Sequence, residues 1–347
     1  MTAPFRNAPL RIAIVTDAWH PQPNGVVRVL GTLQSHLAAA GHQVGVLGPD
    51  AFRTMPCPSY PEIPLALFPA KGTAAWLDRF APDAIHIATE GPLGWAARAY
   101  CLKRGRRFTT AYHTKFPQYV SARTKLPLAL PYAVVRRFHA PSSGVLVPTP
   151  TILAELEQWR FTKLKPWSHG VDTSVFHPRP KTAFAGLPRP VFLYVGRVTV
   201  DKNLPAFLDL DLPGTKVVVG SGPSREALMR RYPQTKFIIA QGDGELGGYF
   251  AGADCFVFPS RTDTFGLVML EALASGVPVA AFPVPGPLDV IGNSGAGILS
   301  EDLRTAALAA LEIPPERCLA HAARFNWTKV AEEFVANLAL TETSHAL

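Results

Sequence analysis

Acidic residues are missing from the whole interval between Glu90 and Glu155, a gap that holds Arg98, Lys103, Arg104, Arg106, Arg107, Lys115, Arg123, Lys125, Arg136 and Arg137. The formal net charge is +8, so these ten cations exceed the entire surplus and leave the rest of the chain slightly acidic. Cysteine is scarce as well. Cys57, Cys101, Cys255 and Cys318 are scattered with no Cys-x-x-Cys pair, which excludes a disulfide framework or zinc ribbon and predicts reduced core thiols in a cytoplasmic protein. No apolar run approaches the length of a membrane span. The segment Met1 to Leu10 carries Arg6 and no apolar core, so no signal peptide is expected. A Gly-x-Gly-x-x-Gly fingerprint is absent, which weighs against a dinucleotide oxidoreductase. No metal constellation stands out either: Asp209-Leu-Asp211 lies in a Leu/Pro stretch and reads as a turn.

What is present describes a well-packed protein. Hydrophobic residues make up 48% and charged residues 17% of 347, enough chain for two domains with their own cores. Short apolar runs at Arg11–Thr16, Gln43–Leu47, Ala84–Ala88, Phe108–Tyr112 and Gly144–Pro148 alternate with helical stretches such as Val26–Ala40. The pattern repeats at Val191–Val195, Lys216–Val219, Lys236–Ala240, Cys255–Phe258 and Pro278–Phe282. Strand–helix alternation of this kind predicts an α/β fold of two Rossmann-like, doubly wound parallel-sheet domains facing a cleft. The expected domains are residues 1–178 and 188–325, joined across a Pro-rich linker at His177–Pro190, with a closing helix in 326–340 and disorder after Leu340. Ligands in such sheets sit beyond the carboxyl ends of the strands.

The most informative segment is Ser260-Arg-Thr-Asp-Thr-Phe-Gly-Leu-Val-Met-Leu-Glu-Ala-Leu-Ala-Ser-Gly-Val-Pro-Val-Ala281. A strand delivers its loop to a helix start at Phe265, Gly266 and Leu267, and first-turn amides without intrahelical partners make an anion site. Asp263 precedes that site and Glu271 lies inside the helix. One acid can address a sugar ring and the other ribose hydroxyls, with phosphate on the amides between them. Arg197 and Lys202, in Gly196-Arg-Val-Thr-Val-Asp-Lys-Asn-Leu204, supply two cations after another strand. Cations over a departing diphosphate stabilise the transition state more than the ground state. Asn24-Gly25, Gly222 in Gly220-Ser-Gly-Pro223, and Gln241-Gly242 occupy further strand-end turns, where small residues admit close approach of a phosphate. His113 follows the strand Phe108–Tyr112. His20, His86, His139 and His169 read as structural, with His20 also a candidate for the acceptor side.

The pair Asp263-x7-Glu271, followed by Ala-x-Ala-Ser-Gly-x-Pro-Val, resembles the donor-site signature of the family 4 retaining glycosyltransferases. The likeness extends over almost the whole chain. Met55-Pro-Cys-Pro-Ser-Tyr60 and Tyr112-His-Thr-Lys-Phe-Pro-Gln-Tyr119 are similar to the family's glycolipid branch, which includes sulfoquinovosyl- and glycosyl-diacylglycerol synthases. The first acid here is Asp263, where the family usually carries Glu. This resemblance implies the GT-B fold and a closing helix that returns to the first domain. It also implies a hexosyltransferase that works without metal or cofactor. It assigns the donor diphosphate to Arg197 and Lys202, the nucleobase edge to the turn at Gln241, and contact with the donor sugar near its reacting carbon to His113. Catalytic candidates are therefore His113 and Asp263. Donor-binding candidates are Asn24, Gly25, Arg197, Lys202, Gly222, Gln241, Phe265, Gly266, Leu267 and Glu271.

Leu126 to Phe138 mixes apolar residues with a terminal Arg pair. Together with Arg104, Arg106, Arg107, Lys115, Arg123 and Lys125 it suits an anionic membrane surface. The expected partners are a nucleotide sugar, a lipid acceptor and that surface at the inner membrane face, with no nucleic acid, because no nucleic-acid module is recognisable. The resulting expectation is transfer of a hexose or hexuronate from a UDP-sugar to a lipid such as diacylglycerol. Alternatives are a GDP-mannose-dependent mannosyltransferase, a hydrolysing sugar epimerase, and a basic module that binds lipid or nucleic acid without turnover.

Overall fold

Runs of four or five apolar residues with no polar interruption become strands covered on both faces, and the amphipathic stretches between them become the covering helices. The structure, a computed structural model, describes residues 8–22, 24–57 and 60–340. β1 (Arg11–Val15) buries four of its five residues and leads through α1 (Gly25–Ala39) to β2 (Gln43–Leu47). Val27, Leu30, Leu33 and Leu37 place the buried stripe of α1 at helical spacing. A hairpin of β3 (Thr54–Cys57) and β4 (Tyr60–Ala66) follows. It contains the segment Met55–Tyr60, of which residues 58 and 59 lie outside the described residues. The chain then alternates α2 (Ala70–Phe80), β5 (Ala84–Ile87), α3 (Pro92–Lys103), β6 (Thr109–Ala111), α4 (Phe116–Thr124), α5 (Ala129–His139), β7 (Val145–Val147), α6 (Pro150–Gln158) and β8 (Leu164–Pro166). The six parallel strands are ordered β2-β1-β5-β6-β7-β8.

The second unit repeats the scheme. β9 (Val191–Val195), α7 (Pro205–Leu208), β10 (Thr215–Val219), α8 (Arg225–Arg231), β11 (Lys236–Ile238), α9 (Asp243–Gly252), β12 (Cys255–Phe258), α10 (Leu267–Ala274), β13 (Val279–Ala281), α11 (Pro285–Val290) and β14 (Gly297–Leu299) succeed one another, followed by α12 (Leu303–Ala310) and α13 (Pro315–Ala322). Their sheet is ordered β11-β10-β9-β12-β13-β14, and all its pairs are parallel. This is the doubly wound α/β class read from the sequence.

The last described helix, α14 (Trp327–Asn337), belongs to the first unit, which takes the residues up to Ser168 and those from Trp327 onwards; the second unit is His169–Asn326. Trp167 donates its indole N–H to the Val330 carbonyl at 3.1 Å, and Lys165 Nζ donates to the Asn337 carbonyl at 2.9 Å. Residues 169–178, given to the first domain by their position before the Pro-rich stretch, pack in the second unit. The Val171 amide donates to the Phe325 carbonyl, and buried Phe176 meets Phe250 edge-on at 5.6 Å. The stretch after Leu340 lies outside the described residues. Among the described residues no helix is long and apolar enough to cross a membrane. The four cysteines are free, and burial pushes the Cys101 and Cys318 thiols up to about 12.

His86 sits in the middle of β5 with no exposed surface, its Nδ1 2.9 Å from Thr109 Oγ1 and its ring 4.9 Å from Phe334 of α14. Burial, helped by neighbouring His113, pushes it down to about 3. On acidification the unfolded chain therefore takes up this proton first. The stability present at neutral pH is lost as pH falls from about 6.5 towards 3, by up to about 1.4 kcal/mol per pH unit. Melting temperature is expected to fall between neutral pH and pH 4, and His86→Gln to flatten that fall. A variant profile parallel to wild type contradicts this account.

Candidate functional site

In the second sheet the strand order reverses between β9 and β12, so the loops leaving their carboxyl ends diverge and open a crevice. Backbone packing shapes the floor of this site. Gly220 (φ 151°) and Gly222 (φ 153°) lie so close to the preceding loop that a Cβ would meet the Gly196 carbonyl at 1.9 Å and the Val198 carbonyl at 2.4 Å. The Val198 amide in turn donates to the Ser221 carbonyl at 2.8 Å. Buried Tyr194 donates its hydroxyl to the Arg197 carbonyl at 2.8 Å and fixes that turn. A single 3-10 turn, Val200–Lys202, then ends at Asn203, which is left-handed (φ 53°) and donates from Nδ2 to the Pro259 carbonyl at 3.1 Å.

That bond carries Lys202 to the loop after β12. Its Nζ lies 2.5 Å from Asp263 Oδ1 and 4.0 Å from Asp201 Oδ2. Around the pair, Asp263 Oδ2, Ser260 Oγ, Thr262 Oγ1 and Thr199 Oγ1 are buried without a hydrogen-bond partner among the described residues. Each such atom costs about 1–3 kcal/mol unless something supplies a bond. Four of them on two adjoining loops suit a ligand rich in hydroxyl and phosphate oxygens. No group of three metal-ligating side chains occurs among the described residues.

From Asp263 the chain runs directly into α10. Phe265 is buried against His169, ring centroids 4.8 Å apart, which sets the loop's height above the sheet. Gly266 is the N-cap in left-handed conformation (φ 85°), and Leu267 is the first helical residue. Behind the loop stands Gly286, where a Cβ would lie 3.0 Å from the Phe265 carbonyl and 3.2 Å from that of Asp263. Glu271 is 4% exposed within the otherwise apolar α10. Arg197, Lys202, Gly222 and Asp263 are thus drawn together, with Phe265, Gly266, Leu267 and Glu271 on the same loop and helix. Gln241 follows β11 and is held in its own exposed turn by its amide's bond to Glu245 Oε2 at 2.5 Å.

The sequence reading missed residues that hold this arrangement, Tyr194, Asn203 and Gly286, whose contacts here are to the backbone of the two loops. The Lys-Asn step at 202–203 is a usable signal, because Asn tolerates the left-handed conformation that stops a short turn.

Unit 1 candidates sit in different settings. Asn24 is the N-cap of α1, its Oδ1 accepting the Val27 amide at 3.1 Å, and Gly25 is the first helical residue. At the switch point of this sheet, between β1 and β5, the Asp17 carboxylate accepts from the Leu93 amide (2.8 Å), the Gly94 amide (3.3 Å) and Thr89 Oγ1 (2.9 Å). Asp17 therefore serves the start of α3, a role no spacing announced. His113 follows β6, edge-on to Trp167 at 6.0 Å, and burial pushes it down to about 4. It is neutral at pH 7.

The basic residues divide into two kinds. Lys115 does not belong to an exposed surface: its Nζ pairs with Glu155 Oε2 at 2.8 Å, and Gln118 and Tyr132 bind the same carboxylate. Glu155, just past the acid-free interval, folds back onto it. Arg104 pairs with Asp78 at 3.0 Å in the open, and Arg106 and Arg136 are half-buried. Arg107, Arg123, Lys125 and Arg137 are exposed.

Comparison with known proteins matches residues 23–175 to the model of Glycosyltransferase Family 4 and residues 189–313 to that of Glycosyl transferases group 1. A sulfoquinovosyl transferase of Arabidopsis thaliana is 32% identical over 256 residues, covering 69% of this chain and 50% of that protein. The chain thus spans about half the length of this plant relative. A GDP-mannose-dependent alpha-mannosyltransferase of Mycobacterium tuberculosis is 28% identical, covering 84% of this chain and 83% of the relative. An alpha-monoglucosyldiacylglycerol synthase of Streptococcus pneumoniae is 27% identical, covering 88% and 79%. Among solved structures, sucrose-phosphate synthase from Thermosynechococcus elongatus superimposes with TM-score 0.74 at 21% identity, covering 94% of this chain and 97% of that one. Its likeness shows the GT-B fold.

Because Gly222 touches the Val198 backbone, Gly222→Ala must distort both loops. The variant is expected to lose about 2 kcal/mol or more in urea unfolding, from left-handed strain plus the clash. Wild-type stability in the variant would show that the loops are not in backbone contact.

Proposed function

The chain belongs to glycosyltransferase family 4, and from that premise we propose that it transfers a hexose or hexuronate from a UDP-sugar to the hydroxyl of a membrane lipid such as diacylglycerol, with retention. The observation that carries the donor half is the Lys202–Asp263 pair at the switch point of the second sheet, surrounded by buried oxygens in want of partners. In this reading Arg197, Lys202 and the first amides of α10 take the diphosphate. As the bond from the sugar's anomeric carbon to the phosphate oxygen breaks, negative charge grows on the diphosphate, and fixed cations and amides stabilise that growth most. Glu271 accepts from ribose hydroxyls, and Asp263 accepts from the sugar while steadying Lys202. The acceptor hydroxyl attacks from the face the phosphate leaves. A phosphate oxygen takes its proton, so no protein base is required. His113, neutral and with its pKa near 4, is too weak a base at pH 7 and is assigned to orient the reacting side of the sugar.

The acceptor half draws support from the named activity of the streptococcal relative and from the surface of α4 and α5. Phe116, Leu126, Leu130 and Val134 are large apolar side chains about half exposed, set beside exposed Arg123, Lys125 and Arg137. Apolar residues flanked by cations suit an anionic lipid surface, consistent with a peripheral protein at the inner membrane face. A second reading, transfer of mannose from GDP-mannose, is favoured by the mycobacterial relative, which aligns over most of both chains.

The test is a donor screen of UDP-glucose, UDP-glucuronate, UDP-galactose and GDP-mannose with diacylglycerol in anionic liposomes, following label into the organic phase. Labelled lipid is expected with one UDP-sugar; label from GDP-mannose alone selects the second reading. Nucleotide release without labelled lipid overturns the acceptor assignment. Lys202→Ala and Glu271→Ala are each expected to lower turnover by about a hundredfold or more with unchanged circular dichroism. Near-normal rates in either variant sink the donor-site assignment.

A further inference from the structure

Arg136 and Arg137, the last cations of the acid-free interval, meet Arg160 at a place the transfer chemistry does not use. α5 descends to the start of β7, and residues 160–162 lead into β8, so both lie at the amino-terminal edge of the first sheet. His113 follows the carboxyl end of β6, at the opposite edge. At the amino-terminal edge lies a cavity of about 450 Å³ whose lining includes Ala133, Arg136, Arg137, His139, Arg160 and Phe161.

The hydrogen bonds of this cationic cluster go to backbone carbonyls. Arg136 donates to the Trp159 carbonyl at 2.9 Å, and Arg98 to those of Phe138 and Arg137 at 3.0 Å each. Lys163 donates to the Ser142 carbonyl at 2.9 Å. A carbonyl satisfies a donor but cancels no charge. The like charges act on one another: Arg98 is held below its ordinary value by burial and then by Arg137, and Lys165 by burial and then by Arg107. The carboxyl end of α5 supplies only a fraction of a negative charge, about half a unit at most. Glu90 reaches the lining His139 at 3.2 Å, but none of the three guanidinium groups is ion-paired among the described residues. Such a concave site suits a phosphate, whose oxygens accept paired guanidinium N–H bonds.

The site is also amphiphilic. Val134 is exposed next to the cavity residue Ala133, with Leu130 one turn before it on α5 and Leu126 exposed on the loop that precedes the helix. Free phosphate has no use for these apolar side chains; a lipid does. We propose that this cavity holds the phosphate of an anionic glycerophospholipid, with Arg136, Arg137 and Arg160 around the headgroup and Leu126, Leu130 and Val134 against its acyl region. The assignment rests on the membrane reading above and turns a diffuse basic surface into one discrete lipid site.

The experiment is titration of the full chain with monomeric dihexanoyl phosphatidylglycerol, read by calorimetry. Arg137→Gln/Arg160→Gln is expected to weaken binding about tenfold or more, since charge-assisted bonds to phosphate are lost. Arg123→Gln/Lys125→Gln removes the same charge outside the cavity and is expected to change binding less than about threefold, because neither residue lines the cavity. Ala133→Trp fills the cavity while keeping every cation and is expected to abolish binding. It decides the question should the arginine double variant melt early.

Equal losses in the two double variants, or full binding by Ala133→Trp, overturn the proposal. Inorganic phosphate binding as tightly as the lipid overturns the lipid assignment in favour of a free phosphate. Vesicles of phosphatidylcholine with phosphatidylglycerol separate the two levels. Vesicle binding weakened alike in both double variants sinks the cavity alone, whereas no vesicle binding by wild type sinks the membrane reading.

Discussion

Two loops leaving neighbouring strands of a parallel sheet have no ladder to hold them, and in the second unit an ion pair between residues 61 apart does that work. Lys202 and Asp263 meet with four-fifths of each side chain withdrawn from water, so their attraction is screened far less than that of a surface pair. Everything near them serves the meeting. Asn203 ends the short turn and ties it to the Pro259 carbonyl; Gly220 and Gly222 let the next loop lie on the first; Gly286 lets α11 stand behind Asp263. The pair also balances charge. A cation left alone there would be costly to desolvate, and Asp263 reduces that cost.

Unit 1 solves the same topological problem differently. Its switch point is occupied by the Asp17 carboxylate, three bonds to the α3 start and Thr89 taking the place that a ligand's anion takes in related sheets. Its buried histidines are bound by threonines of β6: His86 to Thr109 and His139 to Thr110, with His139 also reaching Glu90 at 3.2 Å. Each imidazole is thus held through Nδ1, while His86 Nε2, Thr73 Oγ1 and Ser142 Oγ are buried without a hydrogen-bond partner among the described residues.

Much of this was legible in the sequence. Strands β9 and β12 are uninterrupted apolar runs, and β1 and β2 are apolar after a leading Arg11 and Gln43, so their positions follow from the sequence. β8 and β14 were not legible, because three residues, one of them Pro or Gly, carry no period, and the neighbouring strand supplies their order. The acids at 263 and 271 stood out because the helix between them is otherwise apolar. What remained hidden was pairing across distance. No pattern links Lys202 to Asp263 or Lys115 to Glu155, since each contact is made by the sheet order and not by local spacing. The same reason removed Lys115 from the membrane-facing set while leaving Arg123 and Lys125 in it.

The return of α14 to the first unit has a consequence for how the protein comes off the ribosome. Trp167 and His86 are covered by Val330 and Phe334, residues made only after the entire second unit. Domains ordinarily complete in the order they are translated. Here the unit begun first is finished last: during synthesis its sheet waits with an indole and an imidazole bare while the later unit already has all of its chain. The nascent chain thus carries one sticky, unfinished face for the time needed to translate well over a hundred residues, and a chaperone that meets it in that interval has a defined place to bind.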